Sequence, residues 1–337
     1  MNITAIIDKL AEGIDLTAEE AAYGMAELMD GKLSPAVAGA FLLLLRVKGE
    51  TPTELTAAVQ SCLSRAVPVK GLPEGCIDIV GTGGDGKNSF NCSTVSALIV
   101  AGLGYKVCKH GNRAVSSTSG AADALESVGY PLGLDAEGVR RSMEKSGFAF
   151  CLAPNFHPGF RAIVPIRKQL GVRTLFNVLG PMINPARPDF LMMGVAKPAM
   201  LDSIAAVLAR CGYRRALVLH GAGGYDEATT FGPVQARLVE NGEVRKADFD
   251  PADLGFTPPA GGEAALTVST TEEARAAVRD LLHGQGSPAM RDMVALNVAA
   301  ALHLLEPDES LKDCADRARR AVTDAVALPV LQHFAEL

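Results

Sequence analysis

The chain has 337 residues, 48% of them apolar, no tryptophan and a formal net charge of −6. That length buries a large core and favours two lobes, and the apolar share excludes a disordered chain. The acidic balance speaks against broad nucleic-acid binding.

Seven scattered cysteines without a C-x-x-C pair argue against structural zinc and a disulfide framework. Reduced thiols and a cytoplasmic location are expected. Met1–Lys9 carries an acid early and lacks a signal-peptide core. The longest apolar run, Ala36–Leu45, has ten residues, too short to span a bilayer, so no membrane contact is expected.

Residues 1 to about 65 read as wholly helical. Ile3, Ile6, Ile7 and Leu10 fall at helical spacing. Thr17-Ala-Glu-Glu20 is a capping box, Ser34-Pro35 an N-cap followed by proline, and Thr51-Pro52-Thr53-Glu54 combines both signals. The predicted helices Ala21–Met29 and Ala36–Val47 are apolar over much of their surface and need cover, from their own lobe or from a second copy. Val67–Glu74, with Pro68, Gly71 and Pro73, is a linker.

An α/β part begins at Ile77. Strands are predicted at Ile77–Val80, Tyr105–Cys108, Phe148–Leu152, Leu191–Ala196 and Arg215–His220. Helices are predicted at Thr94–Gly102, Gly120–Val128, Ala136–Ser146 and Pro198–Cys211. The alternation implies a mostly parallel sheet flanked by helices. It stops near 155–188, where five prolines and a helix at Arg161–Leu170 intervene. Short strands follow at Thr229–Phe231, Gln235–Glu240 and Val244–Phe249, with Asn241-Gly242 as a hairpin turn. The late helices are Glu272–Leu282 and Met290–Leu305.

The stretch Gly81-Thr-Gly83-Gly84-Asp85-Gly86-Lys87 leaves a strand and leads to Asn91-Cys92-Ser93-Thr94 at a helix start. Glycines permit positive φ and leave backbone amides bare, so the loop forms an anion nest in front of a positive helix end. A phosphate site is expected. Two familiar motifs nearly fit. G-x-G-x-x-G wants an acid at the end of the next strand, yet that strand runs into Lys109-His110-Gly111-Asn112-Arg113. G-x-x-x-x-G-K wants Ser or Thr at 88, where Asn88 stands.

Four segments together resemble the anthranilate phosphoribosyltransferases. They are G-T-G-G-D at Gly81–Asp85 with N-x-S-T at Asn91–Thr94, and Lys109-His-Gly-Asn-Arg113 running on to Ser116-Ser-Thr-Ser119-Gly120. Arg173-Thr-Leu-Phe-Asn177 through Gly180-Pro181 and Gly224-Tyr-Asp226-Glu227 complete the set. The similarity covers most of the chain in the family's order. It implies a small helical domain (1–70, joined in space by about 155–188) and a larger α/β domain (71–154 and 189–337). It also implies Mg²⁺ as cofactor and a homodimer through the helical domain.

The resemblance further implies transfer of a phosphoribosyl group from phosphoribosyl pyrophosphate to anthranilate. The phosphoribosyl pyrophosphate contacts carried over are Gly81, Gly84, Asp85, Ser89, Asn91, Ser93, Thr94, Lys109, His110, Gly111, Asn112, Arg113, Ser116, Ser117 and Ser119. Lys109 would be the direct charge partner of the phosphates. Gly81, Asn112 and Arg167 are the implied anthranilate contacts, and Ser93, Asp226 and Glu227 the metal ligands. No residue is assigned as acid or base, because an aromatic amine attacks a cation-like carbon with little help. Ala121 departs from the serine common in the family.

Each residue also has an ordinary reading. Asp85 serves as an Asx-turn brace, Asn91, Ser93 and Thr94 as helix caps, Arg167 as part of a basic helix face, and Asp226-Glu227 as solvated surface. Rival functions are a pyrimidine nucleoside phosphorylase of the same fold and a non-catalytic nucleic-acid-binding relative. The phosphorylase loop has a different pattern, and the binder should be basic.

Overall fold

The computed structural model describes residues 1–113 and 120–337. Four helices open the chain: α1 (Ile3–Ala11), α2 (Ala18–Met29), α3 (Pro35–Lys48) and α4 (Pro52–Ser64). Their starts are where the capping signals put them. Both halves of the Thr17–Glu20 and Thr51–Glu54 boxes form, and the Ser34 side chain accepts from Val37 N–H. Gly24 lets α2 and α3 touch: a Cβ there would lie 2.7 Å from the Phe41 ring.

The sheet strands are β1 (Ile77–Gly81), β2 (Val107–Gly111), β3 (Phe148–Leu152), β4 (Phe190–Gly194), β5 (Arg215–His220), β6 (Gln235–Glu240) and β7 (Glu243–Lys246). They lie in the order β3-β2-β1-β4-β5-β6-β7, the first five parallel and the last two antiparallel. Asn241 (φ 51°) and Gly242 (φ 81°) make the predicted two-residue turn. Thr229–Phe231 is a turn and not a strand. It lies where Thr229 Oγ donates to the Ala222 carbonyl (2.7 Å), so the segment folds back onto its own loop and joins no ladder.

Helices cover both faces. α5 (Cys92–Gly102), α6 (Ala121–Glu126) and α7 (Ala136–Ser146) connect the first strands, and α8 (Ala153–Phe156), α9 (Phe160–Leu170) and α10 (Phe176–Leu179) follow β3. α9 packs against α2 and α3, and its Ile163 shares a core with Met25 and Phe41. α11 (Leu201–Leu208) precedes β5, and α12 (Thr271–Leu282), α13 (Pro288–Leu305), α14 (Leu311–Thr323) and α15 (Leu328–Gln332) close the chain. Alternation along β4 serves two cores: Phe190 and Met192 face the α5–α13 side, Leu191 and Met193 the side shared with the helical bundle. Among the described residues no helix is long and apolar enough to cross a membrane.

The strand order reverses at β1. Connections run outward to β2 and β3, then return to β4 on the other side. In open α/β sheets the crevice beyond the strand ends at such a reversal is where ligands bind.

Candidate active site

Three glycines shape the floor of that crevice. A Cβ on Gly81, at the end of β1, would lie 2.3 Å from Asp226 Oδ2. On Gly194, ending β4, it would lie 1.5 Å from the Asp226 carbonyl, and on Gly221, after β5, 2.0 Å from that of Glu227. The Asp226–Glu227 turn settles onto the ends of these central strands only because the side chains are missing. Asn297 on α13 pins the turn from behind, its Oδ1 accepting from Ala228 N–H (3.0 Å) and its Nδ2 donating to the Ala228 carbonyl (2.8 Å).

The glycine loop arches over this turn. Gly83, Gly84 and Gly86 have φ of 66°, 77° and 76°. Gly83 N–H donates to Asp226 Oδ2 at 2.6 Å. Asp85 Oδ1 accepts from Lys87 N–H (3.1 Å), the bracing turn foreseen as its ordinary role, while Oδ2 is buried without a donor. Glu227 accepts from Ser93 N–H (3.2 Å) and the Ser89 hydroxyl (3.5 Å). Asn91 caps α5 through Thr94 N–H (3.2 Å).

Asp85, Asp226 and Glu227 thus crowd together. Burial first, then Asp85, pushes Asp226 up to about 7; burial, then Asp226 and Asp85, raises Glu227 well above the usual carboxylate range. Such a cluster calls for a cation. Among the described residues no group of three or more His, Cys, Asp or Glu side chains is arranged to enclose a metal. The set suits Mg²⁺, which takes one or two carboxylates and completes its shell with water and phosphate oxygens.

Lys109 differs from expectation. It is only 1% exposed, with Nζ donating to the Ile79 carbonyl and to Ser93 Oγ (3.1 Å). Burial lowers its pKa, while Asp78 and Glu227 hold the charged form. In this conformation its ammonium lies beneath the loop and is bonded to the chain's own Ile79 and Ser93. Arg113 differs too: it is exposed and paired with Asp123 (3.1 Å) and Glu126 (2.8 Å) on α6. Asn112 lies exposed beside it and takes the Arg113 N–H on its Oδ1. Ser116, Ser117 and Ser119 lie outside the described residues.

From β2 a line of rings leads away. His110 Nδ1 sits 3.0 Å from the Gly180 carbonyl, and its ring meets His157 edge-on at 5.2 Å. A Cβ on Gly111 would press the Phe150 ring at 3.2 Å. His157 stacks on Phe160 (5.2 Å), Phe160 meets Phe176 edge-on (5.5 Å), and Arg167 lies over Phe176 at 5.6 Å. Arg167 is half-buried, which lowers its pKa, and its Nη2 reaches Asn177 Oδ1 at 3.4 Å. Among the described residues no carboxylate pairs with it.

Sequence reasoning assigned no site role to Asp78, Asn184, His157, Arg173 or Asn297. Asp78 is fully buried under β2, accepting from His110 N–H (3.2 Å) and Asn184 Nδ2 (2.9 Å). Arg173 donates to the Gly84 carbonyl (2.7 Å), and Arg46 on α3 to the Arg173 carbonyl (3.0 Å). An acid inside an apolar strand, as in Ile77-Asp78-Ile79, was a signal for Asp78, and Arg173 opens one of the segments that carry the resemblance.

Residues 4–66 match a family described as glycosyl transferase family, helical bundle domain, and residues 74–328 match its a/b domain. An anthranilate phosphoribosyltransferase of Nitratidesulfovibrio vulgaris is 51% identical over 97% of each chain. The crystal structure of the anthranilate phosphoribosyltransferase of Thermus thermophilus superposes with a TM-score of 0.89, at 38% identity over 98% of each chain. The Saccharomyces cerevisiae enzyme, solved in complex with PRPP and Mg, gives 0.88 at 26% identity, covering 99% of this chain and 97% of that one. The chain belongs to the anthranilate phosphoribosyltransferase family, within the glycosyl transferases that both of its parts match.

Proposed function

We propose that the protein transfers the phosphoribosyl group of 5-phospho-α-D-ribose 1-diphosphate to the amino nitrogen of anthranilate, giving N-(5-phosphoribosyl)anthranilate and pyrophosphate for L-tryptophan biosynthesis. One observation carries this reading beyond family membership. A bare-amide loop, a buried lysine and three crowded carboxylates converge on the reversal point of the sheet, with Arg167 at the end of a line of rings leading off it.

In the step, the bond from ribose C1 to the pyrophosphate oxygen breaks and the electron pair stays with pyrophosphate. The anthranilate nitrogen gives its lone pair to C1 and then loses a proton to water. The transition state resembles a glycosyl cation leaving a polyanion, so positioning and charge stabilisation suffice. The bare amides of Gly84 and Asp85, with Asn91, Ser93 and Thr94 at the start of α5, bind phosphate and ribose. Lys109 offsets charge from below. Arg167 takes the anthranilate carboxylate in a two-point grip.

Mg²⁺, held through Ser93, Asp226 and Glu227, would supply countercharge for the leaving group. The donor-less Asp85 Oδ2 and the raised Asp226 and Glu227 carboxyls support a cation there, and the yeast relative was solved with PRPP and Mg.

The helical domain is assigned residues 1–70 with 155–188, the α/β domain 71–154 and 189–337. Two copies pair through the helical domain, a reading supported by exposed Ile14, Val47, Val164 and Val172 along it. A cytoplasmic setting accords with its seven free cysteines. The test mixes protein, phosphoribosyl pyrophosphate, Mg²⁺ and anthranilate and follows anthranilate fluorescence. Decay is expected, and a steady signal at ample enzyme overturns the assignment. Sedimentation velocity checks the dimer; a monomer at micromolar concentration rejects it.

A further inference from the structure

The closing lysine of the frame Gly81–Lys87 has no part in this account so far. Lys87 N–H donates to Asp85 Oδ1, which fixes where the side chain leaves the loop. Its Nζ lies 2.9 and 3.0 Å from the two oxygens of Glu263 and 5.1 Å from the centre of the Tyr225 ring. Its Cε is 3.7 Å from where Gly224 would carry a Cβ. The ammonium therefore spans the gap between the glycine loop and the Gly224–Glu227 turn, the two elements assigned above to pyrophosphate and its cation.

The neighbouring cations are committed elsewhere. Lys109 is buried under the loop, and Arg173 uses Nη2 on the Gly84 carbonyl. Lys87 keeps 21% of its side chain exposed, and its partner Glu263 keeps 53%. An ion pair this open to water contributes little and exchanges readily. A multiply charged pyrophosphate offers the ammonium a stronger, charge-assisted partner. The face of Tyr225 holds the ammonium nearby while partners change, since an aromatic face attracts a cation.

We propose that Lys87 is a second cation for the pyrophosphate of the substrate, with Glu263 as its exchangeable placeholder. When pyrophosphate enters, Nζ leaves Glu263 and donates to a pyrophosphate oxygen by rotation about its own side-chain bonds. The loop thus uses its final lysine as a P-loop does, as a point charge on phosphate, although Asn88 stands where that motif needs a hydroxyl.

This inference rests on the function proposed above, so its test has one arm independent of turnover. Pyrophosphate with Mg²⁺ is titrated calorimetrically into the wild type, Lys87→Met and Glu263→Gln, with melting temperatures confirming the fold. KM for phosphoribosyl pyrophosphate and for anthranilate is measured alongside. Lys87→Met is expected to weaken pyrophosphate binding and raise KM for phosphoribosyl pyrophosphate by about tenfold or more, the scale of one charge-assisted hydrogen bond, leaving KM for anthranilate within twofold. Glu263→Gln is expected to bind pyrophosphate as well as the wild type or better. Equal binding by Lys87→Met and wild type overturns the proposal. Equal weakening by both variants also overturns it, since the pair would then merely brace the loop. A wild type that binds pyrophosphate yet leaves anthranilate untouched counts against the function alone.

Discussion

Gly83 and Asp226, 143 positions apart in the chain, are joined by a 2.6 Å hydrogen bond from the glycine amide to the carboxylate Oδ2. The bond ties the loop after β1 to the turn after β5. One amide of the loop already holds a carboxyl group of its own chain, so loop and turn form one unit whose spacing depends on both glycine and acid.

That unit tolerates no side chain at Gly81. The alanine methyl of Gly81→Ala would fall 2.3 Å from Asp226 Oδ2 and drive the carboxylate off Gly83. Overpacking of this kind costs about 1–3 kcal/mol, and activity should fall with it. Gly83→Ala is a sharper control. Nothing lies within 4 Å of its added carbon, and only the positive φ of 66° is strained, at about 1–2 kcal/mol. Thermal unfolding with turnover on each variant checks this: Gly81→Ala should displace Asp226 and abolish most activity, whereas a Gly81→Ala enzyme as active as the wild type would mean the contact is dispensable.

Asp226→Asn combined with Glu227→Gln should lower turnover by about a hundredfold or more, on the scale of losing one preorganised electrostatic partner. The dependence of the remaining rate on Mg²⁺ should flatten. The fold should survive and melt no lower, because two mutually repelling buried carboxylates have been made neutral. Steady-state rates across a magnesium series, with melting curves, decide it. Wild-type turnover at low Mg²⁺ would reject the assignment.

Much of this was legible in the sequence, for reasons that differ residue by residue. Thr17, Ser34 and Thr51 announce helix starts because capping is a local transaction between a side chain and amides two or three residues on. Gly81 to Gly86 announce an anion site because bare amides are a property of the loop itself. The depth of Lys109 was not legible. Its position on β2 was foreseen, but burial depends on β1 and α5 closing over it, a relation among segments far apart in sequence. The pairing of Arg113 was not legible either: the basic run reads as one patch, while just beyond the end of β2 its side chain turns to acids on α6, ten and more residues on. The late helices α14 and α15 escaped because their apolar faces carry meaning only once their partners, α13 for α14 and α5 and α7 for α15, offer a surface.

The paired histidines make stability depend on pH. Burial, His157 and Lys109 push His110 down to about 3, and burial pushes His157 down to about 4. Both values lie below about 6.5, the ordinary value in an unfolded chain. Between these limits the unfolded chain binds more protons, so stability rises with pH. The contribution is complete above about 6.5 and is lost as pH falls through the folded values, by up to about 1.4 kcal/mol per histidine per pH unit. Asp78, which accepts from His110 N–H and is pushed up to about 6 by burial, opposes this trend: its share is present below about 3.9 and lost as pH rises through about 6. A difference measurement separates the two. Melting of His157→Phe should fall less steeply than that of the wild type between pH 6.5 and 4, and parallel curves would show that His157 is not held neutral.

Arg167 offers the most direct test of the anthranilate pocket. It is half-buried, lies over the Phe176 ring at 5.6 Å and has no carboxylate partner among the described residues. A guanidinium in that setting, its pKa already lowered by burial, gains from a bidentate carboxylate what it lost in hydration. Arg167→Lys keeps the charge and loses the fork. KM for anthranilate should rise by about tenfold to a hundredfold, the range expected for a charged hydrogen bond of about 1.5–3 kcal/mol, while KM for phosphoribosyl pyrophosphate stays within twofold. Arg167→Ala should go further and also loosen the ring stack beneath it. If both variants instead raise KM for phosphoribosyl pyrophosphate and spare anthranilate, Arg167 faces the other substrate and the line of rings from His110 to Phe176 is packing alone.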